Sequence, residues 1–322
     1  MNRRVLVTGG AGFIGSHVAD RLVADGCSVA IIDNLSSGKR ENLPAAATFH
    51  DIDIRSAEAA TLARTGNFDA VVHLAAQMDV RRSVLDPMFD ADVNIRGSVN
   101  LFEGLRASEK PARVVFASTG GAVYGDHTRP PNRETTTKEP DSPYAISKLA
   151  VETYLAFYGR IHGLHGVALR FANVYGPRQD PHGEAGVVAI FCKRLLAGRP
   201  LTIYGDGRQT RDYIHVSDVV NAVRRALTIE LHSTPFIDAR AFNIGTGIPT
   251  SVLDLAAGLK RAAGVDTPLE FAAHRPGELL ESFVDITKAT RELQWAPQVE
   301  LEDGLRNTFE WFASREQSPA VS

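Results

Sequence analysis

Tyr144 and Lys148 lie four residues apart at the start of a predicted helix, Pro143–His162. Residues at this spacing share one face of a helix. A lysine ammonium held beside a phenol stabilises the phenolate and lowers its pKa from about 10. A phenol shifted in this way can exchange protons at neutral pH. The pair therefore predicts a proton-transfer site, although the spacing alone is common on helix surfaces.

A glycine-rich segment, Thr8–Gly15, follows a predicted strand and opens a predicted helix. The spacings Gly10-x-Gly12-x-x-Gly15 and Gly9-x-x-Gly12-x-x-Gly15 both fit. In such turns one glycine allows the tight turn, one lets the backbone approach a pyrophosphate, and one lets helix pack on strand. The helix N-terminus offers free N–H groups to the phosphates. The pattern predicts a dinucleotide site at Gly9, Gly12, Phe13, Ile14 and Gly15.

Asp33 ends the next predicted strand, 18 residues after Gly15. A carboxylate at this place accepts hydrogen bonds from the adenosine ribose and repels a 2′-phosphate, which favours NAD over NADP. Lys39 and Arg40 follow and could weaken that discrimination. With a nicotinamide beside it, the Tyr144–Lys148 pair predicts hydride chemistry at a carbinol carbon.

Short apolar runs alternate with amphipathic stretches in the first half of the chain. Continuous apolar strands joined by helices predict a parallel sheet buried on both faces, with right-handed crossovers. The predicted strands are Arg4–Thr8, Ser28–Asp33, Ala70–Leu74, Arg113–Ser118 and Val167–Phe171. The predicted helices are Gly12–Asp25, Ser56–Arg64, Pro87–Ser108 and Pro143–His162.

The rhythm changes after residue 177, so we expect two α/β units. Residues 1–177 form a doubly wound parallel sheet (a Rossmann domain that binds NAD), with a return segment near 211–245. Residues 178–322 form a smaller substrate-binding cap. Its predicted elements are Gly186–Ala197, Leu201–Tyr204, Val216–Ile229, Phe242–Ile244, Ser251–Ala263 and Leu301–Ser314. The stretch 125–141 is expected to be an exposed loop.

Composition restricts the class of protein. The 322 residues are 44% apolar and 23% charged, which is ordinary for a globular chain. A net charge of −3 argues against nucleic acid or an anionic membrane as partner. No apolar run approaches the ~20 residues of a membrane span. No signal peptide is expected, because a strand begins at once. Cys27 and Cys192 lack metal-ligand spacing and favour a reducing cytoplasm.

Six segments in this order resemble the extended short-chain dehydrogenase/reductases, and most closely the UDP-galactose (UDP-glucose) 4-epimerases. The resemblance extends from about Val5 to Trp311. Its motifs are highly specific for the superfamily and less specific for the substrate. The segments are Thr8–Gly15, Asp33–Gly38, His73–Gln77, Ser118–Gly125, Tyr144–Lys148 and Arg211–Val216.

The resemblance implies a bound NAD that is reduced and re-oxidised within one turnover, with a 4-keto sugar between the two steps. Tyr144 would take the proton of the sugar 4-hydroxyl, and Lys148 would hold the ribose hydroxyls. Asp53 and Ile54 would flank the adenine, or simply end a strand. Further cofactor contacts are implied at Asn34, Ser36, Gly38, Leu74, Ala75, Ala76, Gln77, Asn94 and Phe171.

One position departs from the family pattern. The hydroxyl that assists catalysis in many of these epimerases falls on Gly120 here. We therefore expect Thr119 to assist, with Ser118 second; both could instead cap the next turn. The resembling dehydratases and decarboxylases carry acidic residues in this stretch, whereas Gly120–Ala122 cannot transfer a proton.

For the nucleotide sugar, the resemblance implies diphosphate contacts at Asn173, Arg211 and Arg275, although an arginine could equally form a structural salt bridge. Ser282 would line the sugar pocket, where a small residue admits a C2 N-acetyl group and an aromatic one excludes it. The remaining implied substrate contacts are Gly186, Val187, Val188, Tyr204 and Glu278.

Alternatives remain within and outside the family. A UDP-glucuronate 4-epimerase, a dehydratase or a nucleotide-sugar reductase would share these motifs. A non-catalytic NAD-binding protein would show erosion of Tyr144, Lys148 or the glycines, and none is eroded. By resemblance we expect a homodimer built from Pro87–Ser108 and Pro143–His162. Phe89, Val93, Gly97, Leu101 and Leu105 would form one apolar face, which burial against the sheet would explain equally well.

Overall fold

The structure is a computed structural model that describes residues 3–181, 186–230, 236–274 and 280–317. Its strands are β1 Arg4–Thr8, β2 Ser28–Asp33, β3 Thr48–Asp51, β4 Ala70–His73, β5 Arg113–Thr119, β6 His165–Phe171, β7 Asn173–Tyr175, β8 Leu201–Tyr204, β9 Thr210–His215, β10 Ala241–Ile244, β11 Pro249–Ser251, β12 Leu269–Ala272 and β13 Glu281–Ser282. Its helices are α1 Phe13–Ala24, α2 Ala57–Thr65, α3 Val80–Leu85, α4 Pro87–Ala91, α5 Gly97–Arg106, α6 Pro143–His162, α7 Val187–Leu196, α8 Val216–Thr228, α9 Val252–Ala263, α10 Thr287–Glu292 and α11 Leu301–Gln317.

Seven parallel strands form the main sheet in the order β10-β6-β5-β4-β1-β2-β3. Alternate residues of β1 enter two separate cores: Val5 and Val7 pack on one face, and Leu6 packs on the other. The sheet is therefore buried on both faces, which confirms the predicted doubly wound Rossmann fold. The strand order reverses between β1 and β4, so a crevice opens at their carboxyl ends.

The predicted single helix Pro87–Ser108 is wrong. A π-helical segment, Asp92–Arg96, interrupts it between α4 and α5. Such one-turn widenings are frequent at functional sites, and the segment contains the buried Asn94. The spacing of apolar residues in the sequence fits an ordinary α-helix and does not indicate that one turn contains an extra residue. Helix α3, just before it, was also not predicted.

The second half of the chain forms smaller sheets and returns to the first. Strand β9 pairs with β7, β11 and β13, while β8 pairs with β12. Strand β10 lies beside β6 at the edge of the main sheet. The division into domains at residues 177 and 178 stays a prediction. Within the described residues, no helix has both the length and the apolar character to cross a membrane.

The stretch 125–141 is a loop, as predicted, but it is not wholly exposed. Asn132 and Glu134 are buried. The backbone N–H of Asn132 donates to the Phe283 carbonyl, and Glu134 Oε1 accepts from the backbone N–H of Asn243 at 2.8 Å. The loop covers the edge strand β10, and this long-range contact could not be seen in its polar composition.

Candidate active site

The glycine turn after β1 has the geometry of a dinucleotide cradle. In this fully described turn, Gly9 alone has a positive φ, +73°. A Cβ on Gly9 would lie 2.7 Å from Ala75 N, and one on Gly15 would lie 2.0 Å from Gly9 O. Neither position accepts a side chain. Gly9 therefore makes the tight turn, Gly12 precedes the first residue of α1, and Gly15 permits the close packing.

The first turn of α1 can hold an anion. Gly12 is extended and offers no side chain to cap the helix. The initial N–H groups of α1, beginning at Phe13 and Ile14, are therefore free of a competing side chain. They add to the positive end of the helix dipole. These features fit a pyrophosphate.

Asp33 is buried at the end of β2, and its carboxylate accepts hydrogen bonds from backbone N–H groups. Its Oδ2 accepts from Ala11 N at 3.0 Å, and its Oδ1 accepts from Leu35 N at 2.9 Å. A Cβ on Gly38 would lie 2.8 Å from the same Oδ1. The segment after β2 thus folds over the glycine turn and places a negative charge beside it, as a ribose acceptor requires.

The predicted adenine side consists of paired polar groups. Asn34 Nδ2 donates to Asp53 Oδ2 at 3.0 Å, and Ser36 N donates to Asn34 Oδ1 at 3.1 Å. The Arg55 guanidinium holds the pKa of Asp53 at about 2. Ile54 is buried, whereas Asp53 remains partly accessible. Whether these two residues meet adenine stays a prediction.

Thr8 and His73 fix the loop that follows β4. Leu74 N and Ala75 N each donate to Thr8 Oγ1 at 3.2 Å. Burial, reinforced by the Lys148 ammonium, lowers the pKa of His73 to about 3. The neutral ring lies 2.7 Å from Thr8 Oγ1 through Nδ1. The loop from Leu74 through Ala76 therefore starts from a rigid point.

Asn94 completes the support of this loop. Its Oδ1 accepts from Gln77 N at 2.8 Å, and its Nδ2 donates to Gln77 O at 2.9 Å. Asn94 is thus a two-point clamp on the loop backbone. A direct contact of Asn94 with the cofactor stays a prediction.

Tyr144 and Lys148 lie in the first two turns of α6, as predicted. Lys148 Nζ is 5.7 Å from the centroid of the Tyr144 ring and donates to Ala117 O at 2.9 Å. Burial lowers the pKa of Lys148 to about 8, although the Asp90 and Glu152 carboxylates raise it.

The expected lowering of the Tyr144 pKa is not found in the protein alone. Burial raises the pKa of the phenol, and the Asp90 carboxylate raises it further. The reason is that loss of water around a half-buried phenol opposes its ionisation, while the ammonium bonds to a carbonyl. The cationic charge of an oxidised nicotinamide would act in the opposite direction.

The Ser118 hydroxyl is hydrogen-bonded to a buried ion pair. Its hydroxyl donates to Glu152 Oε1, and Arg170 binds both oxygens of the same carboxylate, with Nη2 2.6 Å from Oε2. All three side chains are buried. A buried charged pair is tolerated when its remaining hydrogen bonds are satisfied. The Ser118 hydroxyl supplies one of these bonds, which gives it a structural role.

Gly120, the position where the resemblance places an assisting hydroxyl, has no room for a side chain. A Cβ at Gly120 would lie 2.9 Å from Arg170 O and 3.0 Å from a Val284 methyl carbon. Thr119, at the carboxyl end of β5, is half-buried and pairs in register with Phe171 on β6. The geometry therefore favours Thr119 as the assisting hydroxyl.

The predicted sugar pocket brings together residues from distant parts of the chain. Ser282 Oγ donates to Gly121 O at 3.3 Å. A Cβ on Gly121 would lie 3.3 Å from Asn173 Oδ1 and 3.9 Å from Ser282 Oγ. Strand β13 also aligns Ser282 with Arg211 on β9. Arg275 and Glu278 lie outside the described residues.

The predicted base-binding residues lie in the smaller layer. Val188 is fully buried in its apolar core, while Val187 and Tyr204 are half-buried. Gly186 precedes the first residue of α7, and Gln209 Nε2 donates to Tyr204 O at 3.0 Å. Contact of these residues with a uracil ring stays a prediction.

Two functional neighbours were missed in the sequence. Glu152 lies one turn after Lys148 on the same face of α6, and this spacing could have identified it. Asp90 lies four residues before Asn94 in the predicted helix, without a recognisable motif. Both carboxylates raise the pKa of Lys148.

The profile of the NAD dependent epimerase/dehydratase family matches residues 5–245. This chain belongs to that family. Its NAD requirement agrees with the glycine cradle and with Asp33. Among proteins of the family, the chain is 46% identical over 319 residues to the UDP-glucose 4-epimerase of Mycolicibacterium smegmatis, covering 98% of this chain and 100% of that one.

Solved structures of the family agree over the whole length. UDP-glucose 4-epimerase of Thermotoga maritima, crystallised with UDP-glucose, matches with a TM-score of 0.92 and 45% identity, covering 98% of this chain and 100% of that chain. UDP-glucose 4-epimerase of Thermus thermophilus, in complex with NAD, matches with a TM-score of 0.88 and 44% identity, covering 99% of this chain and 100% of that chain.

Changing Asp33 to Ala is expected to weaken NAD binding and to relax discrimination against NADP, because the carboxylate that repels a 2′-phosphate is removed. Titration of both cofactors into stripped protein gives the ratio of their dissociation constants. The substitution also leaves Ala11 N and Leu35 N without their acceptor, which could weaken the binding of both cofactors. The ratio of the two dissociation constants is therefore a better measure than either constant alone. An unchanged ratio contradicts the role of Asp33.

Thr119→Val is expected to lower kcat more than Ser118→Ala does. Thr119 offers a hydroxyl at the strand end, whereas the Ser118 hydroxyl is occupied by Glu152. Thermal unfolding should show the opposite order, since only the serine supports a buried pair. Steady-state kinetics and melting curves of both variants decide the matter; a larger kcat loss for Ser118→Ala reverses the assignment.

Proposed function

We propose that this protein is an NAD-dependent 4-epimerase of UDP-hexoses that interconverts UDP-glucose and UDP-galactose. The observation that carries the proposal is the contrast between Tyr144 and the stretch Gly120–Ala122. Tyr144 and Lys148 supply a phenol and an ammonium for proton transfer, whereas Gly120–Ala122 supply no second acid or base. Gly120 cannot accept one, because a Cβ would collide with Arg170 O. The absence of an acid or base at Gly120–Ala122 therefore favours chemistry confined to C4.

Each residue then has a defined task. Tyr144 accepts the proton of the sugar 4-hydroxyl and later returns one to the 4-keto oxygen, while Thr119 donates a hydrogen bond to that oxygen. Lys148 holds the ribose hydroxyls and supplies positive charge beside the phenol. NAD, when bound, supplies the acceptor for the hydride of C4. Asn173, Arg211 and Arg275 bind the diphosphate while the sugar turns.

A wider sugar specificity is part of the proposal. Ser282 is small and lies against Gly121, which has no side chain. Both residues occupy much less volume than an aromatic side chain would. No bulky side chain at either position excludes an acetamido group at C2, so we include UDP-GlcNAc and UDP-GalNAc among the substrates.

A homodimer is proposed as the assembly, on a different face from the one expected. Leu101 and Leu105 lie in the core and Gly97 is buried, so these members of the expected apolar row cannot meet a partner. Other apolar side chains on α3, α4 and α6 are exposed instead, among them Leu85 at 85% and Met88 at 79%. Those on α6 follow one helical stripe: Ile146, Tyr154, Phe157 and Ile161.

Light scattering is expected to report twice the mass of one 34.9 kDa chain. Ile161→Asp places a charge in the α6 stripe and should shift the mass toward one chain. Val265→Asp changes an exposed apolar residue outside this face and should not. A wild type that remains a single chain at micromolar concentration contradicts the dimer.

A cytoplasmic location stays a proposal; it rests on the two unpaired cysteines, Cys27 and Cys192.

The function is tested with purified protein and a panel of UDP-hexoses, followed by NMR, without added cofactor. The expected result is interconversion of C4 epimers with no net absorbance change at the wavelength of reduced nicotinamide. Stoichiometric consumption of added NADH would indicate a reductase. Loss of water from the sugar would indicate a dehydratase.

A further inference from the structure

Asp90, in α4, is a completely buried carboxylate. Its Oδ1 accepts from Gln77 Nε2 and from Asn94 Nδ2, each at 3.0 Å, and its Oδ2 accepts from Ser147 Oγ at 2.6 Å. A carboxylate is the side chain that accepts without donating. Asp90 is therefore well suited to three converging donors.

The three donors come from three parts of the site. Gln77 belongs to the loop after β4, where its Nε2 also donates to Asp79 O at 2.8 Å. Asn94, in the π-helical segment, clamps the backbone of Gln77. Ser147 is the residue before Lys148 in α6. One carboxylate thus links the predicted cofactor loop to the helix that carries the proton-transfer pair.

We propose that Asp90 is a positioning residue of the epimerisation. It fixes the loop Leu74–Gln77 relative to α6, and so fixes the loop relative to the Tyr144–Lys148 pair that α6 carries. The inference rests on the function proposed above and adds a residue to it. A phenol and an ammonium must keep a fixed geometry relative to the nicotinamide, and small displacements at such sites are costly.

The charge of Asp90 raises the pKa of both Tyr144 and Lys148. It raises the pKa of Tyr144 together with burial, and it raises the pKa of Lys148 against burial. Proton release from the phenol is thereby opposed in the protein alone. The positive charge of an oxidised nicotinamide near the ring would favour proton release.

Nearby charged and titratable groups around α6 are paired, neutral or exposed. Glu152 is paired with Arg170, and His73 stays neutral. Asp92 and Arg96 in the π-helical segment pair with each other, Glu103 on α5 bonds to Arg106 and Tyr158, and Asp238 bonds to Lys138 and Arg170. Arg81 and Arg82 on α3 are exposed. Among the described residues, Asp90 is the charged group that shifts the pKa of Tyr144, and burial is the other cause.

Asp90→Asn tests the charge. Removing it should lower the pKa of both Tyr144 and Lys148, so the whole profile of kcat against pH should move to lower pH. We also expect kcat at neutral pH to fall about tenfold or more, the effect of one lost charge-assisted hydrogen bond, with little change in KM. Asp86→Asn is the matched control, because Asn caps the α4 N-terminus as well as Asp does and the exposed charge lies one turn away.

Ser147→Ala tests the link to α6 while leaving the charge in place. It should lower kcat without moving the pH optimum. If Asp90→Asn does not fold, this variant decides alone: an unchanged kcat overturns the inference. For a folded Asp90→Asn, a pH profile that coincides with that of Asp86→Asn also overturns it.

The two proposals fail in distinguishable ways. A wild type that retains NAD but does not epimerise any UDP-hexose refutes the proposed function. A wild type that epimerises, with Asp90→Asn showing the same kcat and pH profile, refutes only the role of Asp90.

Discussion

Tyr144→Phe is expected to lower kcat for UDP-galactose by about 10²- to 10⁴-fold, the range that positioned acid–base groups contribute. The ring remains, so packing in the first turn of α6 should be preserved, while the proton acceptor is lost. NAD content and UDP affinity should stay near wild-type values. Stopped assays of epimer formation, together with the cofactor released on denaturation, measure both quantities.

Tyr154→Phe is a matched control for this change. It removes a phenol hydroxyl from the same helix, but its side chain is 43% exposed on the outer stripe, and its kcat should match the wild type. A Tyr144→Phe enzyme with near-wild-type turnover is incompatible with the proposed proton acceptor. Parallel loss of NAD would instead assign the residue to binding.

Ser282→Tyr is expected to abolish turnover of UDP-GlcNAc and UDP-GalNAc and to spare UDP-glucose and UDP-galactose. Ser282 lies beside Gly121, and we expect a ring at position 282 to exclude the C2 acetamido group. Steric exclusion discriminates against the larger ligand and leaves the smaller one unaffected. Competition assays with all four sugars give the ratio of kcat/KM for the two classes.

Ser282→Ala provides the control for size. It removes the hydroxyl bonded to Gly121 O but stays small, so both classes of sugar should remain substrates. A wild type that ignores N-acetyl sugars shows that another group closes the pocket. Loss of all four activities in Ser282→Tyr would indicate general damage to the site.

Most of the main sheet could be predicted because its strands are short and apolar. Strand β3 was missed, because its residues Thr48–Asp51 are mostly polar and partly exposed. Strands β1 and β2 and helix α6 were predicted with the bounds that the structure has. The glycine turn, Asp33 and the Tyr144–Lys148 pair were also found from spacing. Each depends on a local relation between residues close in sequence.

The features that escaped prediction depend on contacts between distant residues. The π-helical segment inserts one residue into an apolar pattern that fits an ordinary helix. Ser118 was ranked second for catalysis, but its bond to Glu152 spans 34 positions. Asp90 meets Ser147 across 57 positions. Burial of a carboxylate at these points is set by the fold and not by a local pattern.

The central claim is that C4 loses its hydrogen as hydride and regains the same hydrogen on the other face. The most direct measurement is epimerisation of UDP-galactose in deuterium oxide without added NAD, followed by NMR of the UDP-glucose formed. The account predicts that C4 keeps its original hydrogen, because Tyr144 exchanges only the hydroxyl proton. Deuterium at C4 would show that the carbon is deprotonated to solvent, and would contradict the proposed chemistry.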